Sequence, residues 1–184
     1  TAHALLAWHL WEPVVRPKLR DQIRSATVIA IRYLQSQQRQ NGSWVPLWFG
    51  NEHAKDEENP VYGTAMVTAY LSGSRSLAEK AEALIASGVA YLLKTQKNDG
   101  SWGGDETAPS SIEETAVALT ALCRTGASSA AREKAASWLI SATREGTQFP
   151  PSPIGLYFAR LWYHEQLYPV VWTLQALRSM SRGQ

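Results

Sequence analysis

Gln38-Arg-Gln-Asn-Gly42-Ser-Trp44 closes an apolar, helix-patterned stretch, and the same phrase returns as Gln96-Lys-Asn-Asp-Gly100-Ser-Trp102. The match extends backwards, because Tyr33-Leu34 and Tyr91-Leu92 stand at the same distance before the two glutamines. The repeat is therefore a helix with its exit turn. A second phrase alternates with it: Thr1-Ala2, Thr64-Ala65 and Thr115-Ala116 each open an apolar run. Two helix types in alternation, with a unit of roughly 40 to 60 residues, read as an array of helical pairs.

The two types differ in their faces. Leu77, Ala81, Leu84, Ile85, Gly88 and Leu92 recur at helical spacing opposite Glu79, Lys80 and Glu82, which predicts one outer helix with a wet side. Ala131, Ala135, Trp138, Leu139 and Ala142 repeat that pattern, and Ile23, Ala26, Ala30, Ile31 and Leu34 approach it. The Thr-Ala runs are apolar nearly all round and must be covered on every side. Inner apolar helices alternating with outer amphipathic ones predict an all-α chain, an α/α toroid, as an open partial ring of about three and a half helix pairs. Residues 1–184 are expected to form a single domain. Thr1, not Met, falls directly into a helical run, so an excised or processed piece is expected.

Local chemistry sets the expected boundaries. Ser111-Ile-Glu-Glu114 reads as a capping box, with Ser accepting an early N–H and Glu returning the bond. Gly73 and Gly126 read as helix stops. Asn51 to Pro60 lacks periodicity and reads as a surface loop; Pro150, Pro151 and Pro153 stiffen an extended segment. Pro169 should end one helix and can start the next. Tyr157, Leu161, His164, Tyr168 and Trp172 would share one face of a continuous helix, which Pro169 interrupts.

Composition narrows the function. A net charge of +2 without a basic block gives no reason to expect nucleic acid. The single cysteine, Cys123, excludes an internal disulfide and sits in an apolar run as a core thiol. No run approaches the roughly 20 apolar residues of a spanning helix. Eight Trp and seven Tyr predict aromatic-rich turns, an aromatic-lined cavity, or both.

With its two Gln-x-x-x-Gly-x-Trp turns, Trp48 after the first and Tyr62-Gly63-Thr64 opening an inner run, the chain resembles the C-terminal part of squalene–hopene cyclases and related triterpene cyclases. The resemblance covers nearly the whole chain and identifies the turns as QW motifs. It implies that Gln38, Gly42, Trp44, Gln96, Gly100 and Trp102 are scaffold, tying each outer helix end to its neighbour. That agrees with the physics of a Gln amide, a turn-permitting Gly and a covering indole. The implied reaction is a proton-started polyene cyclisation, in which aromatic faces stabilise a carbocation by about 0.5–2 kcal/mol per ring.

By the same resemblance Tyr62 is a proton relay near the catalytic acid, and Trp48, Phe149, Tyr157, Leu161 and His164 line the substrate cavity; packing of the toroid core is the alternative for Tyr62 and Trp48. Leu161 and His164 stand where the family supplies tyrosines, which departs from the usual product-determining set. A third QW turn is reduced to Thr143-Arg-Glu-Gly146 and Phe149. The family's Asp-x-Asp-Asp acid is absent from these residues and is expected upstream. Ser111-Ile-Glu113-Glu114-Thr115-Ala116 takes its repeat-equivalent place and reads as capping, with an acidic substitute the remoter alternative.

No cofactor is implied. The expected partners are a hydrophobic polyprenoid such as squalene, the remainder of the parent chain, a peripheral membrane surface and a homodimer partner. The expected location is cytoplasmic, at the inner membrane face. Two other readings stay open: a non-catalytic toroid that binds lipid or protein, and a prenyltransferase β-subunit. The latter needs an Asp/Cys/His zinc set, and Cys123 lacks an Asp-x-Cys neighbour.

Overall fold

A computed structural model describes residues 1–156 and 159–182. In chain order the elements are α1 (Ala2–Trp11), α2 (Pro17–Gln37), α3 (Pro60–Leu71), α4 (Arg75–Lys80), α5 (Glu82–Thr95), α6 (Ile112–Thr125), α7 (Ser129–Ala142), β1 (Pro153–Leu156), β2 (Leu161–His164) and α8 (Tyr168–Arg182). Helices α1, α3, α6 and α8 pack side by side as an inner row; α2, α5 and α7 lie behind α1, α3 and α6. Among the described residues α8 has no outer helix of its own, so the all-α open toroid is three and a half pairs long.

The inner helices carry the core because they have few polar side chains to expose. Every residue of α6 from Ile112 to Cys123 is buried, Cys123 included. Two hydroxyls of α6 turn back on the helix, Thr120 Oγ1 donating to Ala116 O at 2.9 Å and Thr125 Oγ1 to Ala121 O at 3.0 Å. At the two ends of the row apolar side chains stay exposed: Leu10, Trp11, Val28, Ile29 and Tyr33 on one side, Val171 and Leu174 on the other.

Both QW turns use one hydrogen-bond scheme. Gln38 Nε2 donates to Gly42 O at 3.0 Å and to Leu84 O of α5 at 3.1 Å; Gln96 Nε2 donates to Gly100 O at 3.0 Å and to Ala131 O of α7 at 2.9 Å. The indole N–H of Trp44 closes on Leu34 O and that of Trp102 on Leu92 O, each a carbonyl in the last turn of an outer helix. The backbone N–H of each Trp donates to the Thr of the following Thr-Ala phrase, Thr64 or Thr115. One turn thus joins an outer helix, the next outer helix and the inner helix between them. Gly42 and Gly100 have φ of +89° and +95°, and a Cβ at either would lie 2.4 Å or 2.6 Å from the backbone of the next outer helix. The degenerate third turn keeps Gly146 at φ +81° with nothing within 4 Å. There the Thr143 hydroxyl bonds Leu139 O, Ile140 O and the Gly146 N–H, all close by in the chain.

Four sequence expectations are corrected. The outer helix over Leu77–Leu92 breaks at Ala81, which leaves helical geometry at φ −122° and ψ 18° between α4 and α5. Gly73 is not a left-handed stop of α3: that helix ends at Leu71 with Ser72 as cap, and a Cβ at Gly73 would meet the movable methyl groups of Leu6 in α1. Gly126, by contrast, caps α6 at φ +68° as expected. Asn51 to Pro60 is not simply a surface loop, since Asn51, Ala54, Asn59 and Pro60 are buried. Finally, the segment before α8 is not helical. Strands β1 and β2 pair antiparallel, Pro153 opposite His164 and Leu156 opposite Leu161, and the prolines at 150, 151 and 153 hold the lead-in extended by disfavouring helical geometry in the residue before each. Leu161 and His164, three residues apart on a strand, point to opposite faces of that ribbon. Pro169 does fall in the first turn of α8.

Candidate functional site

The N-terminal ends of α3, α6 and α8 and the loops that lead into them converge on one group of aromatic rings. Phe49, from the loop after the first QW turn, stacks on Tyr62 of α3 at 4.7 Å between centroids. Tyr62 meets Trp172 of α8 at 5.5 Å, Trp172 stacks on Tyr168 at 4.5 Å, and Tyr168 returns to Phe49 at 6.2 Å. Four rings from three separate segments close a circuit, at separations where aromatic pairs attract beyond their area burial. Tyr62 is buried and the other three are half-buried. Burial first, then the neighbouring tyrosines and Glu114, holds the Tyr62 hydroxyl protonated far above its usual range. Asn59 caps α3 by accepting the Tyr62 N–H at 3.0 Å.

Beside the rings, the first turn of α6 carries two carboxylates that are each 1% exposed. Glu114 Oε1 accepts from Asn51 Nδ2 at 3.0 Å and Asn59 Nδ2 at 2.8 Å, while Oε2 bonds the Ser111 hydroxyl. Glu113 accepts from the Ser152 N–H at 2.8 Å and the Ser152 hydroxyl at 2.7 Å. Burial pushes Glu114 up to about 7, with Asn51 pulling the other way and Glu113 adding repulsion. Burial also raises Glu113, against the Ser152 bonds and attraction to His164. The capping box is half realised. Ser111 Oγ accepts the Glu114 N–H at 3.0 Å, but Glu114 returns its bond to the Ser111 hydroxyl, because the Ser111 N–H is already given to Trp102 O. A cavity of about 330 Å³ opens on the far side of Glu113, against Ser152, Trp138 and Pro150.

Of the described residues to which the resemblance gave a cavity or relay role, Tyr62 alone enters the aromatic circuit. Trp48 is 56% exposed on the same loop, and its neighbour Phe49 takes the inward position. Phe149 is half-buried ahead of β1; Leu161, 58% exposed, and His164 lie on the outer part of the ribbon. Tyr157 lies outside the described residues. Gln38, Gly42, Trp44, Gln96, Gly100 and Trp102 form the turns described above. Sequence reading missed Phe49, Asn51, Asn59 and Ser152. The run Leu47-Trp48-Phe49 marks an aromatic entry to the loop, but which ring turns inward depends on the path of the chain. Tyr168 and Trp172 were legible as one helical face, now supplied by α8 alone.

None of the helices among the described residues is long and apolar enough to cross a membrane. The model of the squalene-hopene cyclase C-terminal domain matches residues 17–180. A terpene cyclase–glycosyl transferase fusion protein of Humicola fuscoatra is 31% identical over 160 residues, a stretch that takes in 78% of this chain and 11% of the relative. This chain therefore spans about a tenth of that protein's length. The paired QW turns, the alternating helix rows and the match over most of the chain agree: the chain belongs to the squalene–hopene cyclase C-terminal domain family.

Proposed function

We propose that residues 1–184 are one domain, the C-terminal section of a triterpene-cyclase-like enzyme, and that they line part of a hydrophobic cavity in which a polyprenoid such as squalene is cyclised after protonation. The observation that carries this reading is the circuit of Phe49, Tyr62, Trp172 and Tyr168 at the N-terminal mouth of the inner helices. A carbocation in water is captured at once; π faces attract it without offering a lone pair. Tyr62 is the proton relay, its hydroxyl kept protonated by burial and so able to pass hydrogen bonds toward an acid supplied by the rest of the parent chain. Glu114 is a poor initiating acid, because its oxygens face the amide and hydroxyl donors of Asn51, Asn59 and Ser111.

The space between α3, α6 and α8 below Trp172 is only about 70 Å³, far short of the roughly 300–1,000 Å³ of a ligand pocket. Closure by further helices of the parent is consistent with the exposed apolar side chains at both ends of the row. The partners we assign are that remainder, the polyprenoid, a membrane surface at the cytoplasmic face of the inner membrane and a second copy. The deciding experiment incubates the full parent protein with squalene and separates the lipids by gas chromatography and mass spectrometry. Cyclic isomers or their hydrates, lost in Tyr62→Phe, support the reading. Squalene bound but recovered unchanged supports the second one, a cyclase-derived lipid-binding toroid, which the exposed positions of Leu161 and His164 favour.

A further inference from the structure

Counted from the Thr that receives the Trp44 or Trp102 N–H, Tyr62-Gly63 of α3 and Glu113-Glu114 of α6 occupy the same places in successive repeats. In α3 the place before Thr64 must be glycine. The chain leaving the first QW turn lies over it, and a Cβ would sit 2.3 Å from Trp44 O. In α6 a longer side chain fits, and it is a carboxylate. The connection from Trp102 to Thr115 is 13 residues against 20 from Trp44 to Thr64, so the preceding repeat has the longer loop. Glu114 reaches across and takes hold of that loop at Asn51 and Asn59, 63 and 55 residues away in sequence.

Capping does not require this. Ser111 Oγ already caps α6, just as Ser74 and Ser128 cap α4 and α7 without a buried acid. Two carboxylates withdrawn from water are costly unless their bonds accomplish something else. What they hold is the aromatic circuit. Phe49 lies two residues before Asn51, and Tyr62 three after Asn59. On the other side, Ser152 leads into β1, whose Gly155 O accepts the Gly50 N–H at 2.9 Å.

We infer that Glu113 and Glu114 are positioning residues: from one turn of α6, Glu114 clamps the 51–59 loop and Glu113 clamps the lead into the β-ribbon, and together they set Phe49 against Tyr62. The inference rests on the cavity reading for its purpose, but the clamp can be measured without turnover. Glutamine keeps an oxygen for both Asn amides and an N–H for the Ser111 hydroxyl, so it should preserve the clamp; alanine should not.

Amide hydrogen exchange of the full parent protein, read by mass spectrometry, tests this. Glu114→Ala should speed exchange over residues 50–57 by about tenfold or more, the loss of buried bonds worth a kcal/mol or so. Residues 129–142 should stay unchanged, and Glu114→Gln should restore the wild-type rate. Glu113→Ala should loosen residues 152–156 instead, with rescue by Glu113→Gln. If Glu114→Ala does not fold, Asn51→Ala must loosen 50–57 in its place. A uniform rise along the chain, no rise, or a Gln variant as loose as the Ala variant overturns the inference. Local loosening with rescue, in a protein that leaves squalene unchanged, keeps the clamp and removes the cyclase reading alone.

Discussion

Replacing Gly100 by alanine isolates the feature on which the repeat depends. At φ +95° any Cβ meets the left-handed penalty, about 1–2 kcal/mol. In addition the new carbon would stand 2.6 Å from Lys134 C and O, backbone atoms of α7 that no rotamer can move aside. Either α7 shifts or the turn does, and both motions pull on the Gln96 bonds to Gly100 O and Ala131 O. Overpacking of this kind costs about 1–3 kcal/mol, so the total is about 2–5 kcal/mol. Gly126→Ala is the internal control: its φ is +68° but nothing lies within 4 Å, so only the backbone penalty applies. Urea denaturation followed by far-ultraviolet circular dichroism should show both midpoints lowered at equal slope, with Gly100→Ala worse by about 1–3 kcal/mol. Equal losses in the two variants would refute the claim that the QW glycine exists for close approach of the next outer helix. Gly42→Ala should behave like Gly100→Ala, because its Cβ would lie 2.4 Å from Ser87 O.

Thr115→Val keeps the shape but removes the acceptor of the buried Trp102 N–H, and should cost about 1–3 kcal/mol in the same denaturation assay. Tyr62→Phe keeps the stack on Phe49 and the contact with Trp172, so stability should change by less than about 1 kcal/mol. Turnover of squalene by the parent should nevertheless fall by about 10²–10⁴-fold if the hydroxyl relays a proton. Because burial raises Glu114 in the folded chain from 4.5 to about 7, the folded state holds the extra proton between those values. Its contribution to stability is therefore lost as pH rises from about 4.5 to 7, by roughly 3 kcal/mol, and is level above. Unfolding free energies of the wild type and Glu114→Gln measured across that range should fall more steeply in the wild type, because Glu113, also raised by burial, remains in both proteins.

The scaffold was legible because its causes are local. A helix that must end shows its Gln, its Gly and its Trp within seven residues, and a helix covered on all sides shows no polar face. The candidate site was legible at Tyr62, which sits at the fixed start of an inner helix, and at Tyr168 and Trp172 as one helical face. Trp48 and Phe49 are equivalent on composition, and which of them faces Tyr62 is set by long-range ties of the loop, among them the bridge of Gly50 to Gly155 and the Glu114 bonds to Asn51 and Asn59. The helical spacing of Leu161, His164, Tyr168 and Trp172 mixed two elements, since spacing alone does not record that Pro150, Pro151 and Pro153 start a ribbon. Asn51 looked like loop polarity and proved to be a buried donor to Glu114.

By itself, then, the sequence determined the repeat, the alternation of inner and outer helices, the QW ties and the family, all of which follow from periodicity and from groups that bond within a few residues. The tertiary structure alone decided which loop reaches across to which helix, which ring faces Tyr62, and why two glutamates are buried on one turn of α6. Those are contacts between residues tens of positions apart, made when separate repeats pack. Their geometry depends on the path of the intervening chain, which no local propensity encodes.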